Sequence, residues 1–351
     1  MPGITSPAPR SDDLAATLAQ LGFEPAVRAP QAEESLQVGR GLRRTTWSAP
    51  SMRTRVSLTV VHPSGDLAES AIGEAFDELD RVVALLNRHD AASAVSTLNE
   101  RGALRGPPPE LRAVLGGANE LHRLSRGAFD VTVKPVVDLL RGLQNGSGVS
   151  EAELRDARGL VGMSGLRVSR RAVRLRKSGM GLTLDGIAKG YVVDRVAAVL
   201  ARRGLDRWLV DAGGDIRASG LNERGEPWRI GVQDPLKERC FPAVTELTTG
   251  AVATSGGYED FFTPDGRVHH VVDTATGRSP LATLSATVAA PSAMLADALA
   301  TTTLVLPAAR AVALIETLPG CACLLLGADG RRWRSSRWRS VSETHCEKGE
   351  P

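Results

Sequence analysis

The stretch from Arg267 to Leu306 sets what the rest of this chain can fold around. It opens on a short apolar run carrying His269 and His270, read as a strand, and turns through Thr274 to Pro280. An alternating segment at Leu284 to Ala289 is read as a second strand. Pro291-Ser292 is a helix start with Ser292 as N-cap, and the spacing predicts a helix to about Leu306. Asp297 and Thr301 lie four residues apart on that helix and therefore share a face. A carboxylate and a hydroxyl on one face make half of an all-oxygen shell, which suits Mg²⁺ and leaves positions for water and phosphate. Taken alone, the pair reads more simply as polar residues near a helix start.

The 351 residues suffice for one large domain or two ordinary ones. A hydrophobic content of 42% with 24% charged residues is that of a soluble globular protein. The net charge is +3 and the basic residues are scattered, so nothing argues for nucleic acid as a partner. The arginine-dense segment Arg331 to Arg339, interleaved with Trp333 and Trp338, reads as a solvated strand or tail edge. Cys240, Cys321, Cys323 and Cys346 form no CxxC, and zinc is not suggested. Cys321 and Cys323 alternate in an apolar run, which puts them on one face of a strand as packing residues. No apolar run approaches the ~20 residues needed for a transmembrane segment, and the N-terminus has no signal-peptide pattern. The chain as written reads as cytoplasmic, and as periplasmic or membrane-associated if a leader is missing.

Residues 1–45 read as a flexible extension with at most a helix near Asp12 to Leu21, 46–335 as the folded domain, and 336–351 as a flexible tail. A strand is expected from Arg53 to Val61, then amphipathic helices over Leu67 to Asn87 and Glu110 to Leu124, joined by a polar link. In AFDVTVKPVVDLL, Pro135 argues for a loop that presents Asp130 and Lys134. Leu166 to Leu175 reads as a hairpin. GLTLDGIAKGYVVDRVAAVL reads as strand, glycine turn and helix, with Val192, Val193, Val196, Val199 and Leu200 inside. Free N–H groups and Lys189 at that helix start make an anion cradle, although such a turn also serves as a plain connector. Trp208 to Ala218 reads as one strand interrupted at Gly213-Gly214 by a bulge or a close approach. Further strands are expected at Trp228 to Val232, Val244 to Leu247 and Ala251 to Thr254. ATSGGYEDFF has the small residues of backbone passing near a ligand, or of an ordinary turn. Hairpin signals recur without regular βαβ alternation, which makes the fold class α+β, with mixed or antiparallel sheets and packed helices.

GAFDVTVKP, GIAKGYVVD, DAGGDIRASG, ATSGGYEDFF, HHVVDTATG and ADALATT occur in this order, and together the chain resembles the ApbE family of FAD:protein FMN transferases over roughly Met52 to Leu326. The resemblance implies a T-fold-like architecture. It also implies a Mg²⁺-dependent enzyme that moves FMN from FAD onto a threonine hydroxyl of an acceptor flavoprotein and releases AMP. By motif, Asp297 and Thr301 are then side-chain metal ligands, Gly186 adds its carbonyl, and Lys189 meets the FAD phosphates. Ala128, Phe129 and Asp130 line the adenine end, while Met52, His89 and Val272 complete the dinucleotide pocket. His270 stands where the family has a histidine tied to activity. It either activates the acceptor hydroxyl or is a structural residue fixing its loop through Asp273.

The chain departs from the family turn at Thr183, which holds the aspartate position, and at Asp185, which holds the small one, and both are assigned to cofactor binding. Thr274 replaces a proline, and Arg53 follows Met52 where a glycine is customary. An FAD-binding carrier and an FAD pyrophosphatase giving FMN and AMP are the alternative functions.

Overall fold

The alternating segments build one long antiparallel sheet. Its edge is the pair β1 (Gln31–Val38) and β2 (Leu42–Ser51) in the computed structural model, which describes residues 30–39, 41–146, 148–235 and 241–343. Strand β3 (Thr54–His62) pairs with β2 through a two-residue turn in which Met52 and Arg53 have φ of 51° and 61°. Two left-handed residues give the turn the twist that matches the strands it joins.

Helix α1 (Gly65–Leu86) is capped by the Ser64 hydroxyl and is followed by α2 (Ala94–Arg101), β4 (Ala103–Arg105) and α3 (Pro109–Leu124). Next come α4 (Lys134–Arg141), α5 (Glu151–Gly159) and the hairpin β5 (Leu166–Val168) and β6 (Ala172–Leu175). The chain then forms α6 (Ala188–Arg202), β7 (Trp208–Ala212), β8 (Asp215–Ser219), β9 (Trp228–Gly231), β10 (Ala243–Leu247) and β11 (Thr249–Gly256). The last elements are β12 (Thr283–Ala290), α7 (Ala293–Val305), α8 (Ala308–Glu316), β13 (Ala322–Gly327), β14 (Arg332–Arg334) and β15 (Ser342–Glu343).

The main sheet runs β1-β2-β3-β7-β8-β11-β12-β13-β14, and two three-stranded sheets, β15-β10-β9 and β4-β6-β5, flank it. Strand alternation gives the main sheet two apolar faces. Ala251 and Ala253 of β11 and Cys323 and Leu325 of β13 face the helices, where Ile72, Val196 and Leu299 are buried with them. Val252 faces Trp228 and Ile230, and Leu324 faces Val232 and Trp338, so the small sheet covers the opposite side. Each large aliphatic side chain buried this way contributes about 1.5–3 kcal/mol. The result is the expected α+β class.

Several local expectations change. The extension does not reach residue 45, because β1 begins at Gln31 and pairs with β2 along its length. The expected helix near Asp12 to Leu21, Cys240 and Cys346 lie outside the described residues. The segment 336–343 belongs to the fold rather than to a tail. Trp338 is buried, and the Arg337 guanidinium donates to the carbonyls of Ile315, Leu318 and Cys321, tying this segment to the end of α8 and the turn that follows it. Pro135 starts a helix instead of breaking one, since at the first turn of α4 its missing N–H has no acceptor to lose. The polar link holds α2, capped by Ser93. Trp208 to Ala218 is a hairpin, with Gly213 and Gly214 both at positive φ in its turn. The histidine segment is a loop joined to its neighbour by one bridge, Phe261 to His269, and GLTLD forms no strand. Among the described residues no helix is long and apolar enough to cross a membrane.

Candidate functional site

Helices α6 and α7 cross at unusually close range, and the crossing holds the centre of the site. A Cβ on Gly190 would lie 2.2 Å from the Ala293 carbonyl oxygen, so only glycine permits the approach. The Gly190 N–H donates to Asp297 Oδ2 at 2.9 Å. The Asp194 carboxylate of α6 accepts from the N–H groups of Ala293 and Met294 at 2.8 and 3.0 Å. It thus caps α7 beside Ser292 and fixes the register of the two helices.

One turn along α7, Thr301 Oγ1 sits 3.3 Å from Ser255 Oγ of β11. A Cβ on Gly186 would lie 2.7 Å from Thr301 Oγ1, so this turn also needs its glycine. Lys189 Nζ reaches Asp215 Oδ2 of β8 at 2.7 Å.

Burial pushes the Asp297 carboxyl well above the usual range, and the neighbouring Asp215 carboxylate adds to this against the pull of Lys189. Asp215 is raised by burial as well, with Lys189 opposing. Burial works against the Lys189 ammonium, but Asp215 and Asp297 outweigh it and lift its pKa. Two buried carboxylates therefore share one ammonium, an arrangement with room for further positive charge.

These groups line one open, solvent-facing cleft. Thr183, Asp185, Gly186 and Lys189 line it from the turn before α6, and Asp297 and Thr301 from α7. Ala128, Phe129 and Asp130 form another part of the lining, and His270 and Val272 a third. Asp130 is held by the N–H groups of Thr132 and Met163.

His270 Nδ1 lies 3.0 Å from the Asp260 carbonyl. A carbonyl only accepts, so Nδ1 carries the proton and Nε2 of the neutral ring has a free lone pair. Burial lowers the His270 pKa, and the Asp260 carbonyl opposes this. The alternative tie to Asp273 is absent, because that carboxylate bonds Ala275 and Thr276 within its own turn.

Met52 and His89 are not brought to the cleft. Met52 occupies the β2–β3 turn and packs on the edge of the main core. His89 follows α1, and burial and the adjacent Arg88 lower its pKa. Arg88 itself donates to both Asp185 oxygens at 3.0 Å. Burial alone would raise the Asp185 pKa, but Arg88 outweighs it and holds the carboxylate charged.

Sequence reasoning gave no role to Asp215, Asp194, Arg88 or Glu259, which also lines the cleft. For Asp215 a signal existed, an acidic residue directly after the Gly213-Gly214 turn. Arg88 and Asp194 sat among ordinary helix-surface charges and had none.

Among the described residues no cluster of three His, Cys, Asp or Glu has metal-binding spacing. The donors present at the crossing are hard oxygens, namely the Asp297 carboxylate, the Thr301 hydroxyl and the backbone at Gly186. They fit Mg²⁺, which takes few protein carboxylates and completes its shell with water and phosphate.

The model of the ApbE family matches residues 52–325. The chain is 32% identical to the FAD:protein FMN transferase of Vibrio cholerae over 279 residues, 77% of this chain and 83% of that protein. It is also 32% identical to the FAD:protein FMN transferase of Treponema pallidum, covering 79% of this chain and 82% of that protein. The solved flavin transferase ApbE of Vibrio cholerae superposes with a TM-score of 0.74 at 28% identity, covering 84% of this chain and 98% of that one. The ApbE protein of Thermotoga maritima gives a TM-score of 0.75 at 29% identity, covering 84% and 97%.

Proposed function

The chain belongs to the ApbE family, and from this we propose that it transfers FMN from FAD onto a threonine hydroxyl of an acceptor protein, with AMP leaving, in a Mg²⁺-dependent reaction. The observation that carries the reading is the Lys189–Asp215–Asp297–Thr301 constellation lining the same cleft as His270. The acids there outnumber the cations, which repels a diphosphate unless a divalent ion accompanies it. Asp297, Thr301 and the Gly186 carbonyl would hold Mg²⁺, whose bound charge polarises phosphoryl oxygens.

The rest is positioning by the chain. Lys189, aimed by Asp215, meets the phosphates from the start of α6. Ala128, Phe129 and Asp130 receive the adenine end, and Val272 borders the same pocket. His270 Nε2 takes the proton of the acceptor hydroxyl as its oxygen bonds to the FMN phosphorus. The bond from that phosphorus to the bridging oxygen breaks, AMP departs with the oxygen, and the proton passes from His270 to water.

Intact mass of the acceptor after incubation with the chain, FAD and Mg²⁺ tests the reading. A gain of one FMN with equimolar AMP is expected. AMP formed without any acceptor points to hydrolysis, and bound FAD without AMP points to a carrier. His270→Gln is expected to lower the transfer rate about 100-fold while FAD still binds, measured by flavin fluorescence titration beside single-turnover transfer.

A further inference from the structure

We propose that Asp260 is a positioning residue for the transfer reaction: gripped by Arg53 and Arg141, it holds His270 in the orientation whose Nε2 faces the acceptor hydroxyl. The inference rests on the transferase reading above. Asp260 makes two separate connections. Its backbone carbonyl accepts from both the His270 N–H and Nδ1–H, each at 3.0 Å. Its carboxylate accepts from Arg53 Nη1 and Arg141 Nη2, each at 3.2 Å. The two arginines come from distant parts of the fold, the β2–β3 turn and the end of α4. Arg141 is itself fixed, with its guanidinium 4.8 Å from the centre of the Phe262 ring.

The carboxylate is not needed merely to close this loop. Backbone pairing already does so, through the Phe262 N–H to the Val268 carbonyl and the Phe261–His269 bridge. What the clamp adds is a fixed direction for the Asp260 carbonyl, and with it the tilt and tautomer of the imidazole. The neighbouring His269 cannot substitute, because its Nε2 lies 3.0 Å from the Pro280 carbonyl and its ring packs on Gly257. The charged groups facing His270 are Asp260, Asp185 and Lys189. Of these, Asp260 and Asp185 favour the imidazolium and Lys189 opposes it.

The test combines histidine side-chain nitrogen NMR on the full chain with pH profiles of FMN transfer, and His270→Gln identifies the signal. In the wild type, Nδ1 is expected to be protonated and Nε2 bare. Asp260→Asn, nearly the same shape, removes a charge that favours the imidazolium. The His270 pKa should therefore fall, and the acid limb of the pH profile should move to lower pH. We expect kcat to drop roughly tenfold with KM for FAD little changed, and Asp260→Glu to recover part of it. A purely structural role would lower the whole profile without moving its limb, and that result overturns the proposal. So does a wild-type Nε2–H tautomer, or an Asp260→Asn variant identical to the wild type. A wild-type chain that transfers no FMN to any acceptor overturns the transferase reading instead, whatever the tautomer.

Discussion

Asp297→Asn is expected to lower FMN transfer roughly 10³-fold, about 4 kcal/mol of lost transition-state stabilisation, while leaving the folded protein as stable as before or more so. The two effects separate because the carboxylate is costly where it sits. It is buried beside Asp215, and both burial and that neighbour disfavour its charge. The amide fills the same volume and still accepts from the Gly190 N–H, whose donation to Oδ2 is 2.9 Å long in the wild type. Removing a buried like-charge repulsion does not lower Tm. The amide is, however, a poor ligand for a hard divalent ion. Thermal melts with and without Mg²⁺ check the point. In the wild type Tm should rise with Mg²⁺, since an ion bound only to the folded state adds stability, about 2.7 kcal/mol at a hundredfold excess over Kd. In Asp297→Asn that rise should vanish. A variant that keeps its activity would show that Asp297 does not hold the ion.

Gly190→Ala is expected to cost about 3 kcal/mol and to lower Tm by roughly 5 °C. The added methyl would meet the Ala293 carbonyl oxygen at 2.2 Å, its carbon at 2.6 Å and Asp297 Cβ at 2.8 Å. The first two are backbone atoms of a helix that packs on β11 and β12, so no rotamer change relieves the contact. The helices must separate, and Asp297 and Thr301 then move away from Lys189 and the Gly186 turn. Transfer should fall with stability. Gly73→Ala is the control, because nothing lies within 4 Å of its Cβ position on α1. There the loss of chain entropy in the unfolded state should stabilise by about 0.5–1 kcal/mol. Circular dichroism melts of the two variants should shift in opposite directions.

Periodicity and capping are local, and both are legible in the residues themselves. The helix beginning at Ser292, the shared face of Asp297 and Thr301, the inward valines of α6 and the paired faces of Cys321 and Cys323 all follow from spacing of 3.6 or 2 residues. Punctuation misled where one residue type serves two purposes. Pro135 stops a helix interior yet starts α4, and Gly213-Gly214 suits a bulge but makes a hairpin turn. The α+β class survived these errors because it depends on how many elements of each kind occur and in what order.

The contacts that make a site are of another sort. Arg88 meets Asp185 across 97 positions, Gly190 meets Asp297 across 107, and Arg53 meets Asp260 across 207. No spacing rule reaches that far. By itself, the sequence determined which side chains with oxygen and nitrogen atoms stand at the turns and helix starts, because backbone preference is decided by near neighbours. Which of them meet, that Lys189 finds Asp215 and that His270 turns its Nδ1 to Asp260, was decided only when the helices closed on the sheet, since burial and charge act through space.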